Sequence, residues 1–178
     1  MKRIAILWVG VLLVSVSAFA QNPEIDTPLL AAPPNLKADA TVIKWKADYT
    51  YETLKKGTNR LVCYDRSGKP GQKAFSIECT SIANLDRAAQ NLKFEAMGDK
   101  KQAMLDAAEK DGTRAKPEFG SVWYHLSGAD RQSATTHMTI AVPMATAASM
   151  GLPDNPRQGG VWIMNAGTTT AHLMTPGE

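Results

Sequence analysis

Much of what usually betrays function is missing from this sequence. It has only two cysteines, without a C-x-x-C spacing, which argues against a redox pair, and without further clustered ligands, which argues against a thiolate metal site. Charge of neither sign dominates. Twenty Lys and Arg face seventeen Asp and Glu, and without residues 1–20, which hold Lys2 and Arg3, the balance is close to neutral. With no basic stripe or charged tail, nucleic acid and membrane surfaces are not expected partners. There is no internal repeat. The strong catalytic signatures are absent: no G-x-S-x-G, H-E-x-x-H, Walker loop, G-x-G-x-x-G after a strand, or S-x-x-K. The acids are scattered over charged faces, so no glycosidase-type carboxylate pair stands out.

The first twenty residues do carry a signal. Lys2 and Arg3 precede an apolar stretch, Ile4–Val14, and Ala18-Phe19-Ala20 offers a small-x-small cleavage site before Gln21. The apolar run is shorter than the ~20 residues a bilayer requires, and no cysteine follows it to suggest a lipoprotein. Residues 1–20 therefore read as a cleaved signal peptide of a periplasmic or secreted protein, with no membrane insertion afterwards. Residues 21–40, with Pro23, Pro28, Pro33 and Pro34, read as a Pro-rich mobile lead. Residues 41–178 are expected to form a single α+β domain.

That domain is organised around Asn59–Ser81. Leu61 and Cys63 share one side of a first apolar run; Phe75, Ile77 and Cys79 share one side of a second, with Ser76, Glu78 and Thr80 opposite. The polar segment Arg66–Gln72 reverses the chain between them. Antiparallel pairing about Gly71 sets Cys63 against Cys79 at a Cα separation of ~4.5–5.5 Å, within disulfide range. Export permits such a bond to persist.

Upstream, strict alternation places Ile43, Trp45, Ala47, Tyr49 and Tyr51 on one face of a long strand. A turn at Lys55–Asn59 and the two cysteine-bearing runs complete an expected three-stranded antiparallel meander. Ile82, Leu85, Ala89, Leu92 and Ala96 mark a helix, and a second runs from an Asp99 cap to Lys110 with Gly112 as its stop. The remainder is strand-rich: Ser121–Leu126, Thr136–Val142, Gly160–Met164 and Ala171–Met174. The fold class is α+β, an antiparallel β-sheet with helices grouped mid-chain, stapled by one disulfide.

The three histidines, His125, His137 and His172, all lie in this second half, in or beside predicted strands. They read first as partly buried imidazoles bonded to neighbouring groups. If the strands of His137 and His172 are neighbours, the two rings lie near strand ends, beneath a loop such as Met150–Gly160. A copper or zinc site using His125, His137 and His172 with Met138 and Met174 is the alternative, although methionine also fills irregular cores. Neither metal nor other cofactor is expected. Ser127, Ser133, Thr135 and Thr136 lie near histidines without specifying a catalytic base. The Thr168–Thr170 run reads as a β-edge turn rather than the lining of a cleft.

Leu54-x-x-Gly57-Thr58-Asn59 followed by Cys63, a second cysteine before a helix, and Val161-Trp162-Ile163-Met164-x-Ala166-Gly167-Thr168-x-x-Ala171-His172-Leu173-Met174-x-Pro176 together resemble a family of exported bacterial proteins to which no activity is assigned. The chain departs from it in Asp99–Gly112. The resemblance implies export and one domain, and transfers no chemistry. The expectation is a binding or structural protein rather than an enzyme, with a His/Met metal-binding protein and a divergent hydrolase as alternatives.

Overall fold

The computed structural model describes residues 22–175; the expected signal peptide lies outside them. Eight strands form one sheet: β1 (Thr41–Trp45), β2 (Tyr51–Lys55), β3 (Leu61–Asp65), β4 (Phe75–Ser81), β5 (Val122–Gly128), β6 (Thr135–Ala141), β7 (Trp162–Met164) and β8 (His172–Met174). Their order is β2-β1-β3-β4-β5-β6-β8-β7. With α1 (Pro23–Asp26), α2 (Pro34–Lys37), α3 (Leu85–Glu95), α4 (Lys101–Asp111) and α5 (Ala147–Met150), this is the α+β class that the sequence predicts. Among the described residues no helix is long and apolar enough to cross a membrane.

The disulfide joins Cys63 to Cys79, which stand opposite each other in the antiparallel β3–β4 ladder. The strands before it differ from expectation. The long alternating strand is a hairpin, because Asp48 accepts hydrogen bonds from the Thr50 amide (3.0 Å) and hydroxyl (2.6 Å) and so closes a turn. Trp45 then pairs with Tyr51, which is why the alternation survives the reversal.

There is also no meander. β3 runs parallel to β1, leaving β2 at the edge, and the crossover passes close over residues 39–41. Gly57 makes that approach possible: a Cβ there would strike the Asp39 carbonyl oxygen and lie 2.5 Å from the Thr41 amide nitrogen. The next two amides, of Thr58 and Asn59, donate to that same Asp39 carbonyl at 2.9 and 3.1 Å.

Residues 22–40 are folded onto the sheet, contrary to the mobile lead expected. Three of the prolines, Pro23, Pro28 and Pro34, open helical turns, where a missing amide hydrogen costs nothing and a fixed φ helps. Leu29, Ala32 and Ala40 are buried with Val42, Leu61 and the disulfide. On the opposite face α3 sets Leu85, Ala88 and Leu92 against Ile43, Trp45, Val62, Tyr64 and Trp123. Both faces of the central strands are thereby covered. The second helix ends as expected at Gly112, left-handed at φ 76°, but Asp99 lies in a preceding 3-10 turn and does not cap it.

Candidate functional site

Directly opposed residues in neighbouring strands share a face. The registers Tyr64↔Glu78, Glu78↔His125 and His125↔His137 therefore line up four polar side chains across β3, β4, β5 and β6, on the α3 face. Cys63, Cys79, Tyr124 and Met138 form the neighbouring row and face the other way.

The buried end of the first row is an ion network. Glu78, 2% exposed, accepts from the Tyr64 hydroxyl and from Arg66 Nη1, and its Oε2 lies 3.1 Å from His125 Nδ1. Arg66 reaches on to Glu95 of α3. Burial pushes the Glu78 carboxyl up, but Arg66, with the bonds from His125 and Tyr64, outweighs this and holds it at about 2. Burial and the Glu78 charge push the Tyr64 hydroxyl well above its ordinary range.

The other end of the row opens into a cleft of about 330 Å³ between the sheet and α3, and His125, His137 and His172 all line it. His125 and His137 stack with ring centroids 5.9 Å apart. His172 arrives from β8, where it pairs with Ala141 of β6. Its Nδ1 lies 2.7 Å from the Thr170 carbonyl oxygen, an acceptor only, so Nδ1 carries the hydrogen and Nε2 the lone pair. Burial lowers the pKa of this ring and favours its neutral form, the Thr170 bond opposing.

Arg87 of α3 supplies a cation to the same cleft. Nη1 donates to the Ala115 carbonyl (2.7 Å) and Thr169 Oγ1 (2.9 Å), and Nη2 to Thr170 Oγ1 (2.6 Å). Glu109 stands one residue removed, accepting from the Thr169 amide and hydroxyl. Burial, with Arg114 nearby, lowers the guanidinium to about 10 despite Glu109, so it stays charged at neutral pH.

The site's membership differs in part from expectation. The histidines converge, but none of residues 150–160 lines the cleft: α3, the residue 117 loop and the turn before β8 close it instead. Met138 is excluded from the histidine set by strand alternation, since its partner is Tyr124 on the opposite face. Met174 pairs with Thr139 on the histidine face but is not a lining residue. The threonine run is a turn, as expected, but it is not excluded from the cleft: Thr170 lines it, and Thr169 and Thr170 hold Arg87 there.

His125 and His172 each bond Nδ1 to an oxygen and leave Nε2, an arrangement found around metal-bound imidazoles. Yet no three His, Cys, Asp or Glu side chains among the described residues are disposed to hold an ion. Glu78, Arg66 and Arg87 escaped sequence reasoning because each sits on a polar face or in a polar loop. Buried arginines are normally paired, and the partners here come from elements distant in sequence: β4 and α3 for Arg66, the loop at residue 115 and the turn before β8 for Arg87.

A larger cavity, about 380 Å³, lies beside Phe119 and Tyr124. Its charged groups Arg60 and Glu118 bond each other, so it gathers no comparable chemistry. Comparison with protein-family models, with curated proteins and with solved structures finds no match to this chain.

Proposed function

We propose that the chain is an exported binding protein whose histidine cleft takes a small oxyanion, a carboxylate or a phosphate, and holds it more tightly as the pH falls. The observation that carries this reading is the convergence of all three histidines with Arg87 on one cleft. Export is supported by the signal-like residues 1–20 and by the disulfide, which persists in oxidising compartments.

The charges facing the rings are Arg66, Glu78, Glu95 and Arg87, with Glu109 behind the threonines. The four lining charges balance and Glu109 adds a negative one behind them, so with neutral imidazoles the cleft attracts an anion weakly. Glu78 and Arg87 titrate far outside the range pH 5–8, so neither changes the charge of the cleft across it. An imidazole that gains a proton adds a donor and a positive charge.

The test is calorimetric titration with inorganic phosphate and with acetate at pH 5.5 and 7.5. Binding at least about tenfold tighter at the lower pH, a difference of roughly 1.4 kcal/mol, is expected, and should be lost in the His137→Gln, His172→Gln double variant. Equal affinity at both pH values, or a double variant that binds as wild type does, overturns the proposal.

A second reading of the same cleft is acid–base catalysis, as in a divergent hydrolase. The Glu78–His125 contact favours it, since a carboxylate behind Nδ1 orients an imidazole to accept a proton from water at Nε2. Release of p-nitrophenol from its acetate or phosphate ester, abolished in His125→Gln, would support catalysis. Equal release by wild type and variant would refute it.

A further inference from the structure

The floor of the histidine cleft presents lone pairs. The His172 Nδ1 hydrogen is committed to the Thr170 carbonyl oxygen at 2.7 Å. His125 Nδ1 lies 3.1 Å from Glu78 Oε2, a carboxylate held ionised and therefore an acceptor only. In the neutral form of each ring the hydrogen sits on Nδ1, and Nε2 is an acceptor. Burial favours that neutral form for His172 at pH 7.5. Both rings line the cleft, and neither Nε2 is sealed from it. Among the described residues the buried side-chain polar atoms without a partner are Trp45 Nε1, Arg66 Nε, Arg114 Nε and Thr175 Oγ1.

The helix side has the opposite character. Arg87 and Asn91 both line the cleft and stand four residues apart on α3, on one face of the helix. Arg114, buried behind them, donates through Nη2 to Asn91 Oδ1. A guanidinium has donors only, so the amide oxygen faces Arg114 and Nδ2, with its two hydrogens, is turned away from it. Arg87 contributes charge rather than hydrogens. Its bonds go to Ala115, Thr169 and Thr170, and it forms no salt bridge among the described residues. Around the rings, Arg66 pairs with Glu78 and Glu95, while Glu109 lies behind the threonines.

Thr170 joins the two halves: its hydroxyl accepts from Arg87 Nη2 and its carbonyl holds His172 Nδ1. A positive charge and an acceptor are thus set side by side. A bare carboxylate would place lone pairs against both Nε2 atoms. A neutral polyol would leave the Arg87 charge unmatched, and a metal cation would be repelled by it. Hydrogen phosphate carries a hydroxyl but nothing to cover Trp123, Pro117, Ala141 and Ala171, the apolar part of the wall. Resting on the reading of this cleft as an oxyanion site, we propose that its ligand at neutral pH is a small hydroxy carboxylate. Its carboxylate accepts from Asn91 Nδ2 beside Arg87, and its hydroxyl donates to His172 Nε2.

Glycerate, propionate and glycerol are the probes: the same three carbons with both groups, with the carboxylate alone and with hydroxyls alone. In calorimetric titrations at pH 7.5, glycerate should bind about tenfold tighter than propionate, the weight of one or two neutral hydrogen bonds. Glycerol should bind more weakly than glycerate. In 15N-labelled protein the His172 Nε2 resonance should move upfield on adding glycerate and not on adding propionate. His172→Phe, which keeps a planar ring and removes the acceptor, should bring the two carboxylates to similar affinity. Asn91→Asp, which still offers Arg114 an oxygen, should weaken both carboxylates by tenfold or more and leave their ratio unchanged.

Equal binding of glycerate and propionate to the wild-type protein overturns the hydroxyl contact and leaves the oxyanion reading standing. Glycerol binding as tightly as glycerate, or no binding of either carboxylate, overturns both. Unaltered affinities in Asn91→Asp overturn the placement of the carboxylate. Should His172→Phe fail to fold, the wild-type affinity ratio and the Nε2 resonance still decide.

Discussion

Glu78 and His125 stand directly opposite each other across β4 and β5, with carboxylate Oε2 3.1 Å from imidazole Nδ1. The same oxygen accepts from Arg66 Nη1, which neutralises the carboxylate, while Oε1 accepts from the Tyr64 hydroxyl. One buried acid thus anchors the core network and orients a side chain of the cleft, so damage at Glu78 reaches both.

Stability should therefore fall in acid, in a window set by Glu78. Its carboxyl moves from an ordinary 4.5 to about 2 on folding. A depressed acid contributes stability that is complete above the unfolded pKa and lost as pH falls through the folded one. The contribution is on the order of 3 kcal/mol, declining between about pH 5 and pH 2. The lowered pKa of His172 acts in the same direction, its share declining as the pH drops below 6.5. Urea unfolding across this range should show the decline in wild type. Glu78→Gln should begin less stable at neutral pH, with buried Arg66 left with Glu95 as its one carboxylate partner, and lose less on acidification. Parallel pH profiles for the two proteins would rule out Glu78 as the cause.

The Cys63–Cys79 bond closes a loop of sequence separation 16, for which chain entropy suggests roughly 3 kcal/mol. Titration of thiols in unfolded, unreduced protein should find none. The double change Cys63→Ala, Cys79→Ala should cost about 2–5 kcal/mol. Two reactive thiols, or an unaltered unfolding midpoint, would contradict the bond's existence or its weight.

The residues that could be read from sequence are those whose environment is local or periodic. Alternation in Phe75–Ser81 and Leu61–Asp65 gave the faces and the cysteine register, and the helix period gave α3 and α4. Glu78 shows the limit. In a two-layer reading, Ser76, Glu78 and Thr80 belong to a wet face. Here α3 covers that face, and the acid is tolerated because Arg66, Tyr64 and His125 reach it from three other strands or loops. Such partners are set by tertiary packing and leave no local trace. The cleft was legible only as far as its histidines, which share neighbouring strands; Arg87 reaches them from a helix whose sequence shows it as an outward-facing charge.

The crossover between β2 and β3 gives a sharp test of the parallel pairing. Gly57 passes so close to residues 39–41 that any Cβ would collide with main chain, which cannot move aside as a flexible side chain can. Gly57→Ala should therefore cost more than about 2 kcal/mol, well beyond an ordinary surface substitution. Gly68, with open space around its Cβ position and φ 67°, serves as a control in which only backbone strain is tested, at ~1 kcal/mol or a little more. Equal, small losses at both glycines would mean that β3 does not cross over β1 as described.

Residues 22–40 decide whether the prolines mark a tether or part of the core. Leu29 is 7% exposed and packs with Ala32, Val42 and the disulfide, while Asn59 Nδ2 donates to the Leu36 carbonyl at 2.8 Å, tying the segment to the β3 entry. A tether would tolerate truncation of Leu29 with a change within about 0.5 kcal/mol. A core leucine loses ~2–5 kcal/mol on truncation to alanine, and Leu29→Ala should fall in that range by denaturant unfolding. Hydrogen exchange gives an independent view: the Ala32 amide, bonded to the Leu29 carbonyl at 3.2 Å, should be protected in wild type. Free exchange at Ala32, together with a neutral Leu29→Ala, would return the segment to the role of a linker and leave Val42 and the disulfide uncovered.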